Sequence, residues 1–146
     1  MIFSTDKDGD ESSKFHCYCD GIVPTVTVVI DTEGRRFGGY STQSWAQYSC
    51  GSSARAPESF IFNLSNQKKC ELIDQLDTCA VEKSNSFGPK FGRGHDLYIF
   101  NKCKSTKNNY CKKCSYNSGD TNLLGGKEGE TYFTVKTYEV YQVIFD

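Results

Sequence analysis

Residues 86–100 read Ser-Phe-Gly-Pro-Lys-Phe-Gly-Arg-Gly-His-Asp-Leu-Tyr-Ile-Phe, and they constrain the fold more than any other stretch. Gly88, Pro89, Gly92 and Gly94 fall within seven residues, and the chain then runs directly into four apolar positions. Glycine opens backbone conformations closed to other residues, and proline breaks helices. A tight turn feeding a strand over residues 97–100 is what such a stretch forms. It also carries His95, one of two histidines in the 146-residue chain, beside Asp96. The stretch is therefore either a chemical centre or an architectural hinge.

Architecture is the stronger reading. A phosphate-binding loop needs a Lys-Ser/Thr pair and the N-terminus of a helix, whereas here a strand follows. A His-Asp pair serves catalysis in some sites, yet it also closes turns through hydrogen bonds to backbone groups. No Gly-x-Ser-x-Gly elbow accompanies it. Gly88, Gly92 and Gly94 are read as points of tight turning or close approach, Phe91 as a core plug, and His95-Asp96 as the pin at the start of the strand. Gly92→Val is then expected to destabilise the fold itself.

Elsewhere short apolar runs alternate with turn residues. Residues 25–30 are β-branched at every position and make the clearest strand. Asp31-Thr-Glu-Gly34 turns, and residues 35–40 return as a hairpin in which Gly38-Gly39 marks a bulge or a close approach. Residues 59–64 form a strand with Phe60, Phe62 and Leu64 on one face. Residues 131–135 and 138–145 supply the last two. Residues 15–21 alternate weakly and end in an Asp-Gly turn. Ser41 or Thr42 caps one helical turn running past Trp45 to Tyr48, and a small-residue loop follows from Cys50 to Pro57. Residues 111–116 sit behind a polar loop, with Cys111–Cys114 between that loop and an apparent strand.

Cys70, Ile73, Leu76 and Cys79 or Ala80 recur at helical spacing, which predicts a helix within residues 66–83, with residues 79–81 alternatively a short strand. Aromatics at 14% with 13 glycines favour β structure over a helical bundle. About seven or eight closely spaced strands predict one domain, a mainly β two-sheet sandwich.

Composition excludes several functions. A net charge of −1 with no basic stripe excludes a nucleic-acid surface. No run approaches the ~18 apolar residues that insert in a membrane. The opening residues are acidic and polar, unlike a secretory signal, so the eight cysteines are expected as reduced thiols of a cytoplasmic protein. Asp6-Lys-Asp-Gly-Asp-Glu11 opens like a calcium loop. It has Glu11 where glycine is required and Cys17 where the bidentate Glu belongs, and no flanking helices are expected. It reads as an exposed turn. Cys111 and Cys114 have the spacing of half a zinc site, but Cys17 and Cys19, beside His16, do not supply a matching pair. Small buried thiols are the alternative. The same Cys-x-x-Cys lacks the strand-then-helix setting of a redox dithiol. No catalytic residues, cofactor site or complete metal set assemble.

Taken in order, Phe15-His16 with Cys19-Asp20, Pro24-Thr25-Val26-Thr27, Phe37-Gly38-Gly39-Tyr40 with Ser44-Trp45, and Phe60-Ile61-Phe62 with Leu64 lead to Gly88-Pro89-x-Phe91-Gly92-x-Gly94-His95-Asp96-Leu97-x-Ile99. Leu124-x-Gly126, Phe133-x-Val135 and Glu139-Val140-Tyr141 follow. The set resembles the TLDc domain over most of the chain, from about residue 8 to residue 145. The resemblance implies two antiparallel sheets packed face to face with a few short helices. It also implies a path before the Gly-Pro-x-Phe-Gly motif that is more extended than helical.

Family domains usually begin with a further, commonly helical, segment. This chain starts almost at the Asp-Gly turn, so that segment is expected to be absent or supplied by a partner, leaving an apolar edge for docking. Family members are associated with oxidative-stress resistance and with the vacuolar-type proton ATPase (V-ATPase), and no agreed catalytic mechanism comes with the domain. The motif residues are accordingly taken as fold-forming. The expected function is a non-enzymatic interaction module on the V-ATPase or a stress-response complex. The alternatives are a permanent scaffold subunit, a peroxide-reactive thiol protein, and a zinc module through Cys111 and Cys114.

Overall fold

A computed structural model describes residues 1–47 and 52–146; Tyr48 and Cys50, at the end of the expected helical turn and the start of the expected loop, lie outside them. From the N-terminus, β1 (Phe3–Ser4) leads into α1 (Thr5–Asp8) and α2 (Ser12–Cys19). The strands β2 (Thr25–Asp31), β3 (Arg36–Ser41), β4 (Ser52–Ala54), β5 (Phe60–Asn63), β6 (Lys68–Glu71) and β7 (Val81–Lys83) follow. Then come β8 (Phe87–Phe91), β9 (Leu97–Phe100), a 3-10 turn at Cys103–Ser105, β10 (Asn109–Cys111), β11 (Thr131–Phe133) and β12 (Val135–Gln142).

The strands form two six-stranded antiparallel sheets, ordered β1-β12-β2-β3-β5-β6 and β11-β10-β9-β8-β7-β4. The predicted mainly β architecture is present. Its strand number exceeds the expectation because β1, β4, β7 and β10 are two or three residues long and leave no alternation to read.

Alternation places the core. In β2, Thr25, Thr27, Val29 and Asp31 are buried, while Val26, Val28 and Ile30 turn outward. Phe37 of the first sheet meets Phe133 of the second edge-on, ring centres 4.9 Å apart. Trp45 sits between Phe15 at 5.9 Å and Phe91 at 5.3 Å, and its indole N–H donates to Thr25 Oγ1 at 3.1 Å. Edge-to-face pairs of this kind add about 0.5–1.5 kcal/mol each beyond burial. Gly39 makes the approach possible: a Cβ there would lie 2.5 Å from the Phe91 ring. Close approach is thus the role of this glycine, and no bulge interrupts the β2–β3 register.

Several expected elements differ. Residues 12–19 are helical because Ser12, Phe15, His16 and Cys19 share one buried face at helical spacing. Of the acidic stretch before them, residues 6–8 are helical, in α1, and only residues 9–11 form the link to α2, so the expected exposed turn is confined to those three. Residues 66–83 hold β6 and β7, not a helix. Here Asp74 and Asp77 accept the N–H groups of Leu76 and Cys79 at 2.9 and 2.8 Å, local turns that compete with helix formation. Ile73 and Leu76, the apolar positions of the supposed helix, are exposed. Ser41 ends β3 and donates to the Gln43 carbonyl at 2.8 Å, with no helical turn in the described part of that segment. Gly88 and Pro89 lie within β8, so the tight turn is confined to residues 92–96. The β8–β9 register is irregular between Phe87 and Lys90, which accommodates a residue lacking an N–H. Of residues 111–116, only Cys111 belongs to a strand.

Candidate functional site

The glycine-rich turn between β8 and β9 is tied down from within. Gly92 has φ +87°, and a Cβ there would lie 1.9 Å from Asp96 Oδ1. Asp96 is buried and accepts the N–H groups of Cys114, Ser115 and Tyr116 at 2.9, 2.9 and 3.0 Å. Burial pushes its pKa up against the pull of these donors. Gly94 lets Cys114 pack close, and Arg93 N–H donates to Ser115 Oγ at 2.8 Å. The bound segment then reaches the other sheet. Ile73 N–H donates to the Ser115 carbonyl at 3.0 Å, and Asn117 N–H to that of Glu71 at 2.8 Å. Asp96 thus joins the second sheet to the segment lining the β6 edge of the first, rather than pinning β9 locally.

His95, at φ +64°, turns the other way. Its Nδ1 meets the Tyr110 hydroxyl and its Nε2 lies 3.2 Å from Glu82 Oε2. The same carboxylate pairs with Lys90 Nζ at 3.1 Å, and that ammonium sits 4.5 and 4.4 Å from the ring centres of Phe87 and Tyr98. Burial, then the Lys90 charge, lowers the His95 pKa, with Glu82 opposing. Burial also lowers that of Lys90 and raises those of Tyr98 and Tyr110. A phenol so raised stays protonated, so the Tyr110 hydroxyl can donate to His95 Nδ1, and the cluster braces the second sheet's outer surface.

The outer surface of the first sheet is different. The register sets Glu139, Val28, Gly38, Phe62 and Lys69 in one row across five strands. Tyr141, Val26, Tyr40, Phe60 and Glu71 make the next. Phe60 and Phe62 share a face, as expected; it points outward while Ile61 and Asn63 point to the core. Tyr40 stacks on Phe60 with ring centres 5.1 Å apart, and Phe62 leans over Gly38. A hollow of about 620 Å³ opens among Val26, Tyr40, Phe60, Val143 and Phe145. Solvent-facing sheet surfaces are usually polar. On these two rows the charges stand only at the ends: Lys69, 3.0 Å from Glu71 Oε1, and Glu139, which accepts from the Tyr141 hydroxyl.

A family model for the TLDc domain matches residues 1–144. The chain belongs to the TLDc family. It is also 44% identical over 45 residues to the MTOR-associated protein MEAK7 of Danio rerio. That segment is 31% of this chain and 10% of the relative's length.

The motif residues of this TLDc domain divide between core and surface. Phe15, Phe37, Trp45 and Phe91 are buried side chains between the layers. His16 locks α2 to the β7–β8 turn: its Nε2 meets the Ser84 and Phe87 carbonyls at 2.8 and 2.9 Å, and its Nδ1 lies 2.7 Å from Asp20 Oδ1. Gly88 packs under Ile99 and Tyr138. Phe60, Phe62 and Glu139 belong to the outward face, a division that motif matching alone does not reveal.

The thiols do not converge. Cys111 is buried and Cys114 exposed, and among the described residues no group of three or more His, Cys, Asp or Glu is placed to hold a metal. Burial raises the pKa of Cys19, Cys70, Cys103 (to about 12) and Cys111, which suppresses their reactive thiolate form. Cys17 and Cys114 are exposed, and the seven described cysteines are free thiols. No described helix is long and apolar enough to cross a membrane.

Proposed function

We propose that this TLDc domain is a non-enzymatic protein-interaction module that docks on a larger assembly through the outward face of its first sheet. The observation that carries this reading is the apolar surface around Val26, Val28, Tyr40, Phe60 and Phe62, left uncovered where a sandwich ordinarily presents polar residues. Burying such area stabilises a complex by roughly 25 cal/mol per Å² before the costs of association. The use of Asp96, His95 and Lys90 in internal contacts supports a non-enzymatic role. The V-ATPase is the partner implied by the family resemblance; the mTOR association in the relative's name likewise supports a protein partner.

The test is co-purification of the wild-type chain, Phe60→Asp, Phe62→Asp and Tyr132→Asp with V-ATPase subunits, with circular dichroism checking the fold. Wild type and Tyr132→Asp, on the opposite sheet, are expected to retain the subunits, and the two face variants to lose them. Wild-type material free of ATPase subunits counts against that partner. Retention by both face variants counts against the face.

A further inference from the structure

We propose that, when no partner is bound, a second copy of this chain covers the same face, forming a weak two-fold dimer that masks the docking surface. This rests on the docking reading above and adds its regulation. The argument is the charge order along the rows. β12, β2, β3, β5 and β6 lie side by side, with β3 in the middle. A two-fold axis along β3 reverses the strand order of the facing copy and keeps the rows in step. Lys69 of each copy then faces Glu139 of the other, twice over, because these residues stand two strands to either side of β3 in the same row. In the next row Tyr141, whose hydroxyl donates to Glu139 of its own copy, lies opposite Glu71, and Tyr40 lies at the axis.

The apolar centre fits the same operation. Phe62, leaning over Gly38, puts an aromatic ring near the axis of each copy. Val26 and Val28 are half-buried on one side and Phe60 on the other, so smaller side chains meet larger ones. Stacked sheets pack with strands aligned to within about 30°, which this axis direction allows. Five strands spaced ~4.8 Å apart, three outward rows deep with Thr137, Ile30 and Arg36 in the third, give a footprint on the order of 500 Å² per copy. Arg36, on β3, faces its own counterpart, a like-charge contact that weakens the pair. The total, on the order of 1,000 Å², is below the size of stable interfaces and fits a reversible dimer. Such a dimer is easily displaced by a partner with a larger contact.

The experiment is sedimentation of the purified chain from low to high micromolar concentration. Wild-type average mass should rise with concentration. Lys69→Glu and Glu139→Lys each set like charges face to face, and each should weaken self-association at least about tenfold. An equimolar mixture of the two variants restores both opposite-charge pairs and should associate again to within about threefold of wild type. Thermal melts confirm that each variant is folded. A wild-type chain monomeric throughout, or a mixture no more associated than its parts, overturns the dimer. Partner capture is read separately on Phe62→Asp. Loss of capture without wild-type self-association sinks the dimer alone and leaves the docking reading standing. A dimer with capture unaffected by Phe62→Asp sinks the docking reading and the proposed masking with it.

Discussion

Replacing Asp96 by Ala should unfasten the two sheets where residues 114–117 cross between them. The wild-type carboxylate takes three backbone N–H groups at 2.9, 2.9 and 3.0 Å. A buried donor left without a partner costs about 1–3 kcal/mol, so three left fully stranded cost roughly 3–9 kcal/mol. Two effects reduce this. Cys114 is exposed, so water can reach its N–H. Deleting the carboxylate also relieves the desolvation that raises its pKa. The expected loss is about 3–5 kcal/mol, a large part of the roughly 5–15 kcal/mol that holds a typical domain folded. Asp96→Asn keeps one carbonyl acceptor but aims an NH₂ group at the donors, and should fall between Ala and wild type. Urea titration followed by Trp45 fluorescence measures the loss. Hydrogen exchange should show faster amides at Cys114, Ser115 and Tyr116, and at Ile73 and Asn117, whose bonds depend on the same segment. A loss under about 1 kcal/mol, or unchanged exchange at these amides, would refute this role for Asp96.

Gly92→Val places a branched side chain at φ +87° and against the Asp96 carboxylate, so it should destabilise by at least about 2 kcal/mol in the same titration. His95 supplies a pH test. Its folded-state pKa lies below the unfolded 6.5, so the unfolded chain binds the proton more readily. Its contribution is complete above pH 6.5 and is lost as the pH falls from there through the folded value. His95→Gln should flatten the stability profile across that window; an unchanged slope contradicts the assignment.

The β2–β3 hairpin was legible because its determinants are local: a β-branched run and a turn in which Asp31 accepts the N–H groups of Glu33 and Arg35 at 3.0 and 2.9 Å. The α2 helix had the right period in Ser12, Phe15, His16 and Cys19, but two of the four are polar, so hydrophobicity hid the buried face. Residues 66–83 show the reverse. Ile73 and Leu76 have helical spacing, yet each is 65% exposed, and aspartate turns set the path. Asp96 was recognisable as a pin, but its three donors lie 18 to 20 residues further on and no local pattern names them. The same holds for the candidate site. Alternation shows that Phe60 and Phe62 share a face; only tertiary packing of Ile61 and Asn63 decides that this face is outside.

The central claim, that the outward face of the first sheet is the docking surface, is tested most directly by photo-crosslinking in the protein's own cells. A photoreactive phenylalanine analogue replaces Phe62 in one variant and Tyr132, exposed on the other sheet, in a second. Crosslinks from position 62 to a polypeptide other than this chain itself, with few from position 132, are the predicted result. Crosslinking from position 132 that equals or exceeds that from position 62 would contradict the assignment of the face.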